Sequence, residues 1–206
     1  MRGLHSSRRE YEAPWLSFTD LLSNSLILLS LILVFTTISR TLNEKPPVIQ
    51  LPDNDKFRFS SGGYRLSPTF LAALESEKVP IIKKTLACYG VDTIEIFGHT
   101  DGQPNSNLSN LDTAFLSGEK GMSLAGSMRA GSNVDLGLLR AISVKRAIER
   151  KVSTTENDVI YRVYSAGSMI NTDGRMVAVR NQDQRDRRRI EIRFTRSRQT
   201  TFPKAC

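Results

Sequence analysis

The chain has 206 residues, enough for one ordinary domain with an appendage and too few for two full-sized enzymes. Its averages, 39% hydrophobic, 24% charged and a mean hydropathy of −0.28, describe a soluble protein, yet no charged residue occurs from Leu21 to Ser39, which excludes a purely soluble chain. The net charge is +8, and from Arg175 onward ten basic residues face three acidic ones, so the basic excess sits in the last segment.

The first element is a helix over residues 15–39, preceded by a short segment, 1–14, that carries Arg2, Arg8 and Arg9. Signal peptides also begin basic and turn apolar, but their apolar cores run only ~7–15 residues. The stretch Thr36-Thr37-Ile38-Ser39 also lacks a small-x-small cleavage pattern. At ~1.5 Å rise per residue the span reaches the ~30 Å of a bilayer core, so a single uncleaved transmembrane helix is expected.

Trp15 is placed to anchor that helix at the interface. Asp20 follows about one and a half turns deeper, where a carboxylate costs on the order of a few kcal/mol. On a helical wheel Ser17, Asp20 and Asn24 share a face, with Ser23 beside it, so these residues are candidates to line an ion pathway or meet a protein partner. Two readings of Asp20 stand at this point. It lies among the headgroups, or it is a carboxylate that takes and releases a proton or seats a sodium ion. Basic residues flank both ends, with Arg40, Lys45, Lys56 and Arg58 on the far side, so the positive-inside rule does not orient the helix.

Residues 40–55, RTLNEKPPVIQLPDND, contain three prolines and read as a short extended connector. From residue 56 strand-like and helix-like stretches alternate. Phe57-Arg58-Phe59 reads as a strand, and Ser67-Pro68 opens a helix, with Ser as N-cap and Pro at the first position. That helix is interrupted at Pro80. Thr93 to Phe97 alternates as a strand, Val134 to Arg150 is helical, and Val159–Tyr164 and Arg189–Phe194 alternate again. The order β-α-β-α-β-β implies an α/β (α+β) domain with helices packed on a small mixed sheet.

The chain has only two cysteines, Cys88 and Cys206, far apart and without zinc-like spacing. They are either one bridge in an oxidising compartment or two unpaired thiols. The two histidines, His5 and His99, cannot assemble a His-based zinc site, and no GxSxG motif occurs. Neither an enzyme nor a metal site is expected. His99 reads as a strand-end residue shaping a pocket, and the run Arg185 to Arg189 as a solvated flank of the last strand, facing an anionic surface or polymer.

Three blocks in order, Gly98-His99-Thr100-Asp101, Asn133-Val134-Asp135-Leu136-Gly137-Leu138-Leu139-Arg140-Ala141 and Arg188-Arg189-Ile190-Glu191-Ile192, resemble the OmpA-like peptidoglycan-binding family. The middle block follows that family's pattern except that Gly137 stands where Ser is usual. The resemblance implies recognition of the stem-peptide diaminopimelate. Asp101 would meet its ammonium and Arg140 its carboxylate in bidentate fashion, with Thr100 and Asn133 nearby and Leu136 supporting by packing. The other reading of Asp101 and Arg140 is an internal salt bridge. Compact members of the family bring these motifs closer together, so residues 104–132 are an inserted loop over the binding face, shaping access or a dimer surface.

An acidic apolar helix joined to such a domain resembles the B subunit of ion-driven stator units, the flagellar MotB type, with PWLSFTDLL matching that family's entry and Asp20 in the ion-carrying place. The Ser- and Asn-bearing face of the helix (Ser17, Ser23, Asn24, Ser25), the short connector, the GHTDGQPN block and the insertion are similar to the ZorB family of the Zorya anti-phage defence system. The resemblance implies a homodimer of this chain within a ring of five MotA-like ZorA subunits in the bacterial inner membrane. It places the N-terminus in the cytoplasm and the domain in the periplasm, bound to peptidoglycan. No cofactor beyond the translocated ion, proton or sodium, and no nucleic-acid partner is expected. A flagellar stator subunit and a passive wall anchor are the alternatives.

Overall fold

The computed structural model describes residues 14–43, 45–117, 128–152, 159–178 and 180–197, with the side chains of 14–17, 39–43 and 117 left aside. The chain divides into two compact units, Met1–Lys45 and Pro46–Cys206.

In the first unit α1 spans Pro14–Asn43 as one unbroken helix. Its stretch Phe18–Ile38 is long and apolar enough to cross a membrane, and none of it is buried against protein. Leu21, Leu26, Leu29, Leu33 and Phe35 are each more than 60% exposed. Such a surface is stable only against lipid or other apolar helices. Hydroxyls within the run are satisfied locally, Ser25 Oγ donating to the Leu21 carbonyl at 2.8 Å and Ser30 Oγ to that of Leu26 at 2.7 Å.

The second unit is a mixed α+β domain. Its elements are β1 (Ile49–Pro52), α2 (Pro68–Ala73), α3 (Val79–Cys88), β2 (Thr93–His99), α4 (Leu111–Ser117), α5 (Asn133–Glu149), β3 (Ile160–Gly167) and β4 (Arg189–Thr195). The sheet order is β1-β4-β2-β3; β4 runs antiparallel to both neighbours, and β2 pairs with β3 in parallel. A parallel pair needs a long crossover, and the chain from α4 through α5 supplies it. Ile94, Ile96, Ile190 and Ile192, on alternate positions of the two central strands, pack with Leu51, Phe70, Leu74, Ile82, Val144 and Ile148 into the main core.

The first strand lies where the connector was expected. Ile49 and Leu51 are buried and pair with Ile192 and Ile190, so IQLP is an edge strand inside the domain. Pro52 is tolerated because an edge strand has unpaired positions. Phe57-Arg58-Phe59, expected as a strand, joins no ladder. Its two rings cluster on Phe70, with centroids 5.3 and 5.1 Å away.

The Ser67 helix starts as read, the Phe70 N–H donating to Ser67 Oγ at 3.1 Å with Pro68 at the first position. Its interruption falls just before Pro80, where Leu74–Lys78 widen into a π-turn. Proline removes a helical donor and crowds the preceding turn, and the wider turn absorbs both effects.

Helix α5 is capped by Ser132, whose Oγ accepts from the Asp135 N–H at 3.1 Å, while Asp135 Oδ2 accepts from the Gly131 N–H at 2.9 Å. It lies directly on the sheet because two glycines face each other: a Cβ on Gly98 would stand 1.9 Å from the Gly137 carbonyl oxygen. This contact brings the first turns of α5 beside the C-terminal end of β2. A second apolar cluster, Leu111, Met128, Ala130, Leu136 and Leu139, ties α4 and the return of the insertion to α5.

Candidate functional site

β2 ends in a register shift at Gly98/His99, and the chain turns outward through Thr100 and Asp101. Both residues are buried, and the Thr100 N–H donates to the Gly167 carbonyl at 2.9 Å. The first two turns of α5 stand opposite. Between them opens a cleft of about 570 Å³ whose lining includes Thr100, Asp101, Asn133, Leu136 and Arg140. All five residues proposed from the sequence for peptidoglycan thus meet in one place. Asn133 Nδ2 donates to the Gln103 carbonyl at 2.8 Å, and Leu136 is buried in the second cluster, a packing support.

The two principal charges are partnered differently from expectation. Arg140 is 5% exposed, and its Nε donates to the Gly63 carbonyl at 2.9 Å and its Nη2 to that of Ser60 at 3.5 Å. Its guanidinium lies 4.8 Å from the Phe59 ring centroid. The Nε–Nη2 edge suited to a bidentate carboxylate is therefore already taken by two backbone carbonyls. Burial, then the nearby charge of Arg188, bring the Arg140 pKa down to about 10, with Asp53 and Asp101 acting the other way. It remains a cation at neutral pH.

Asp101 does not pair with Arg140. Its Oδ2 accepts from Arg188 Nη1 at 2.5 Å, and its Oδ1 from the Gln103 N–H at 3.3 Å. Arg188 also donates from Nε to Asp53 Oδ2 at 2.6 Å and from Nη1 to Asp183. Burial opposes the charge on Arg188, but the hydrogen bonds to Asp53, Asp183 and Asp101 outweigh it and raise its pKa.

Asp53 and Arg188 are therefore site residues that sequence reasoning missed. Asp53 was hidden in the connector, and the edge strand β1 delivers it. Arg188 was read within a solvated basic run. Two of that run are instead buried: Arg187, 4% exposed, donates to Gln184 Oε1 at 2.7 Å and to the Ser168 carbonyl, and Arg189, 6% exposed, donates to the Asn171 carbonyl at 2.9 Å. These arginines tie the backbone at Ser168 and Asn171 to the sheet end. Burial makes the solvated assignment fail, because a desolvated guanidinium needs acceptors and finds backbone carbonyls.

Behind the cleft, His99 is 2% exposed, with Nε2 3.3 Å from Glu191 Oε2. Burial and then Arg189 push its pKa down to about 4, against the pull of Glu191, so the ring is neutral at ordinary pH. Among the described residues no group of three His, Cys, Asp or Glu side chains is placed to hold a metal ion. The insertion contributes Pro104, Asn105 and Ser106 to the cleft wall. It is pinned by Asn105 Nδ2 donating to the Ala130 carbonyl at 3.0 Å and by Tyr64 Oη donating to that of Met128 at 3.2 Å.

On α1, Asn24 Nδ2 lies 3.5 Å from Asp20 Oδ1, one turn away on the same face. Ser23 is exposed beside them, and the side chain of Ser17 is outside the described set. Cys88 is disulfide-bonded, and its expected partner Cys206 lies outside the described residues.

No protein-family model matches the chain, and no curated protein does. Among solved structures it is similar to the periplasmic domain of Helicobacter pylori MotB, at 16% identity over 76% of this chain and 80% of that one, with a TM-score of 0.47. A putative MotB-like protein from Desulfovibrio vulgaris has 16% identity over 72% of this chain and 74% of that one, at 0.42. The cell wall anchor of the type VI secretion system from Pseudomonas aeruginosa has 17% identity over 71% and 80%, at 0.38. These are likenesses of fold.

Proposed function

We propose that this chain is a membrane-tethered peptidoglycan-binding protein, the B subunit of an ion-driven inner-membrane motor of the Zorya anti-phage type. The observation that carries the reading is the convergence of Thr100, Asp101, Asn133, Leu136 and Arg140 on one open cleft, in a chain whose other unit is an apolar helix bearing Asp20. A carboxylate and guanidiniums side by side match a ligand that offers an ammonium next to a carboxylate, as the stem-peptide diaminopimelate does. In this reading the domain is the fixed point on the cell wall. Asp20 carries the proton or sodium ion between this chain and a ring of A-type subunits. Asp20 and Asn24, with Ser23 exposed beside them, group polar side chains on a helix whose surface is mostly apolar, which supports a partner-facing or hydrated side.

Two measurements test the two halves. Full-length protein in detergent should sediment with purified peptidoglycan, and Asp101→Ala or Arg140→Ala should release it; unchanged sedimentation with both variants refutes the cleft. In cells carrying the native operon, Asp20→Asn should abolish protection against phage while the complex still assembles. Retained protection would reduce the protein to a passive wall anchor. No protection from the unaltered protein, with swimming restored in a stator-deficient strain, would assign it to the flagellum.

A further inference from the structure

The cleft is wider than its Asp101–Arg140 end. Arg58 and Arg185 also line it, each about half exposed, and the function proposed above uses neither. Their charges converge on one small carboxylate. Arg58 Nη2 donates to Asp55 Oδ1 at 3.2 Å, and Arg185 Nη2 lies 3.5 Å from that same oxygen. Arg58 Nε stands 3.4 Å from Asp53 Oδ1, and Arg185 Nε donates to the Asp53 carbonyl at 2.8 Å. Nη1 of both arginines has no hydrogen-bond partner among the described residues. Two guanidiniums drawn to a single oxygen mark a place where an anion is stabilised. Asp55 is a weak occupant of it, because its side chain is 95% exposed and such ion pairs are screened by water and salt.

We propose that Arg58 and Arg185 form a second anion subsite at the rim of the cleft. It takes the free α-carboxylate of the D-glutamate that precedes diaminopimelate in the stem peptide, and Asp55 occupies it until the ligand arrives. The inference rests on the peptidoglycan reading and deepens it. That D-glutamate is joined through its γ-carboxyl group, so its α-carboxylate stays charged. It lies about one diaminopimelate side chain away from the amino-acid centre assigned to Asp101 and Arg140. The spacing in the protein is compatible: Arg58 is two residues from Ser60, whose carbonyl accepts from Arg140, a backbone span of at most ~7 Å. A wall whose D-glutamate is amidated would present a neutral carboxamide there, with N–H donors facing guanidinium donors. The subsite therefore makes the domain a reader of stem-peptide amidation.

The probes are the tripeptide L-Ala-γ-D-Glu-meso-diaminopimelate and its D-isoglutamine counterpart, in which that one carboxylate is an amide. Full-length protein in detergent is titrated with each by calorimetry. The unaltered protein should prefer the carboxylate peptide about fivefold, the scale of two half-exposed charge-assisted contacts. Arg58→Gln combined with Arg185→Gln should remove the preference while the amidated peptide stays within about twofold. Asp55→Asn should act in the opposite sense and raise the preference about threefold, because the competing carboxylate is gone.

Equal binding of the two peptides by the unaltered protein overturns the proposal, as does a preference that survives in the double variant. A double variant that loses both peptides alike makes the two arginines a structural brace, which also overturns it. Arg58→Gln alone covers the case in which the double variant does not fold, and should lose about half of the preference on a logarithmic scale; full preference in it counts against the subsite. A preference unchanged or lowered by Asp55→Asn overturns the role of Asp55 and the proposal with it. An unaltered protein that binds neither peptide refutes the peptidoglycan reading itself, a result separate from all of these.

Discussion

Replacing Gly98 by Ala tests whether backbone contact between α5 and β2 sets the geometry of the cleft. The new Cβ would lie 1.9 Å from the Gly137 carbonyl oxygen, 2.6 Å from its carbon and 2.9 Å from its Cα, where ordinary contact begins near 3.4 Å. Helix α5 would have to retreat by about 1.5 Å, a backbone displacement no rotamer can absorb. Leu139, Ala141, Val144 and Ile148 are fully buried along that helix and would lose contact together. Overpacking of this kind costs about 3 kcal/mol at the upper end of its usual range. For a domain of this size that corresponds to a fall of about 6–12 °C in the melting midpoint. The assay is thermal unfolding followed by near-ultraviolet circular dichroism. The control is Gly174→Ala, where φ is +81° and no atom lies within 4 Å of the new Cβ, so only a left-handed penalty of about 1–2 kcal/mol applies. A Gly98→Ala midpoint no lower than that of the control would refute the close-packing account. Because Asn133 and Arg140 ride on α5, the same variant should also bind peptidoglycan more weakly.

Two further outcomes follow from the structure. His99 has a folded pKa of about 4 against an ordinary value of 6.5. The unfolded chain therefore takes up a proton first as pH falls, and stability present above pH 6.5 is lost towards pH 4, by roughly 3 kcal/mol; denaturant melts of His99→Gln should show a flatter decline across that window than the unaltered protein. Ser132→Ala removes the acceptor for the Asp135 N–H at the start of α5 and should cost about 1 kcal/mol by urea unfolding.

The central strands were legible because their alternation is strict. Ile94 and Ile96 point into the core while Glu95 and Phe97 do not, and β4 repeats the pattern with Ile190, Ile192 and Phe194. The α2 start was legible from Ser67-Pro68, whose capping chemistry is local. β1 was not, because four residues flanked by prolines show no period, and only pairing with a strand some 140 residues later, Ile49 with Ile192, reveals the inward face. Phe57 and Phe59 misled in the opposite sense: their alternation serves an aromatic cluster around Phe70 instead of a ladder. The same locality rule governs the cleft. Asp101, Asn133, Leu136 and Arg140 were found as spaced motifs, whereas Asp53 and Arg188 become partners only through contact across 135 positions. A run of arginines looks solvated until the acceptors that bury Arg187 and Arg189 are seen.

The edge strand has a mechanical consequence. Chain leaving α1 passes Pro46 and Pro47 and enters the domain at Ile49, the first of only four rungs joining β1 to β4. The interior pair β2–β4 holds with seven. Tension drawn along the chain from the helix would load the shortest seam of the sheet first, so β1 would act as a fuse: peeling it frees slack and lets Asp53 leave Arg188 while the other three strands stay joined. In a force-extension trace of the full chain, this appears as a small early step ahead of the main rupture.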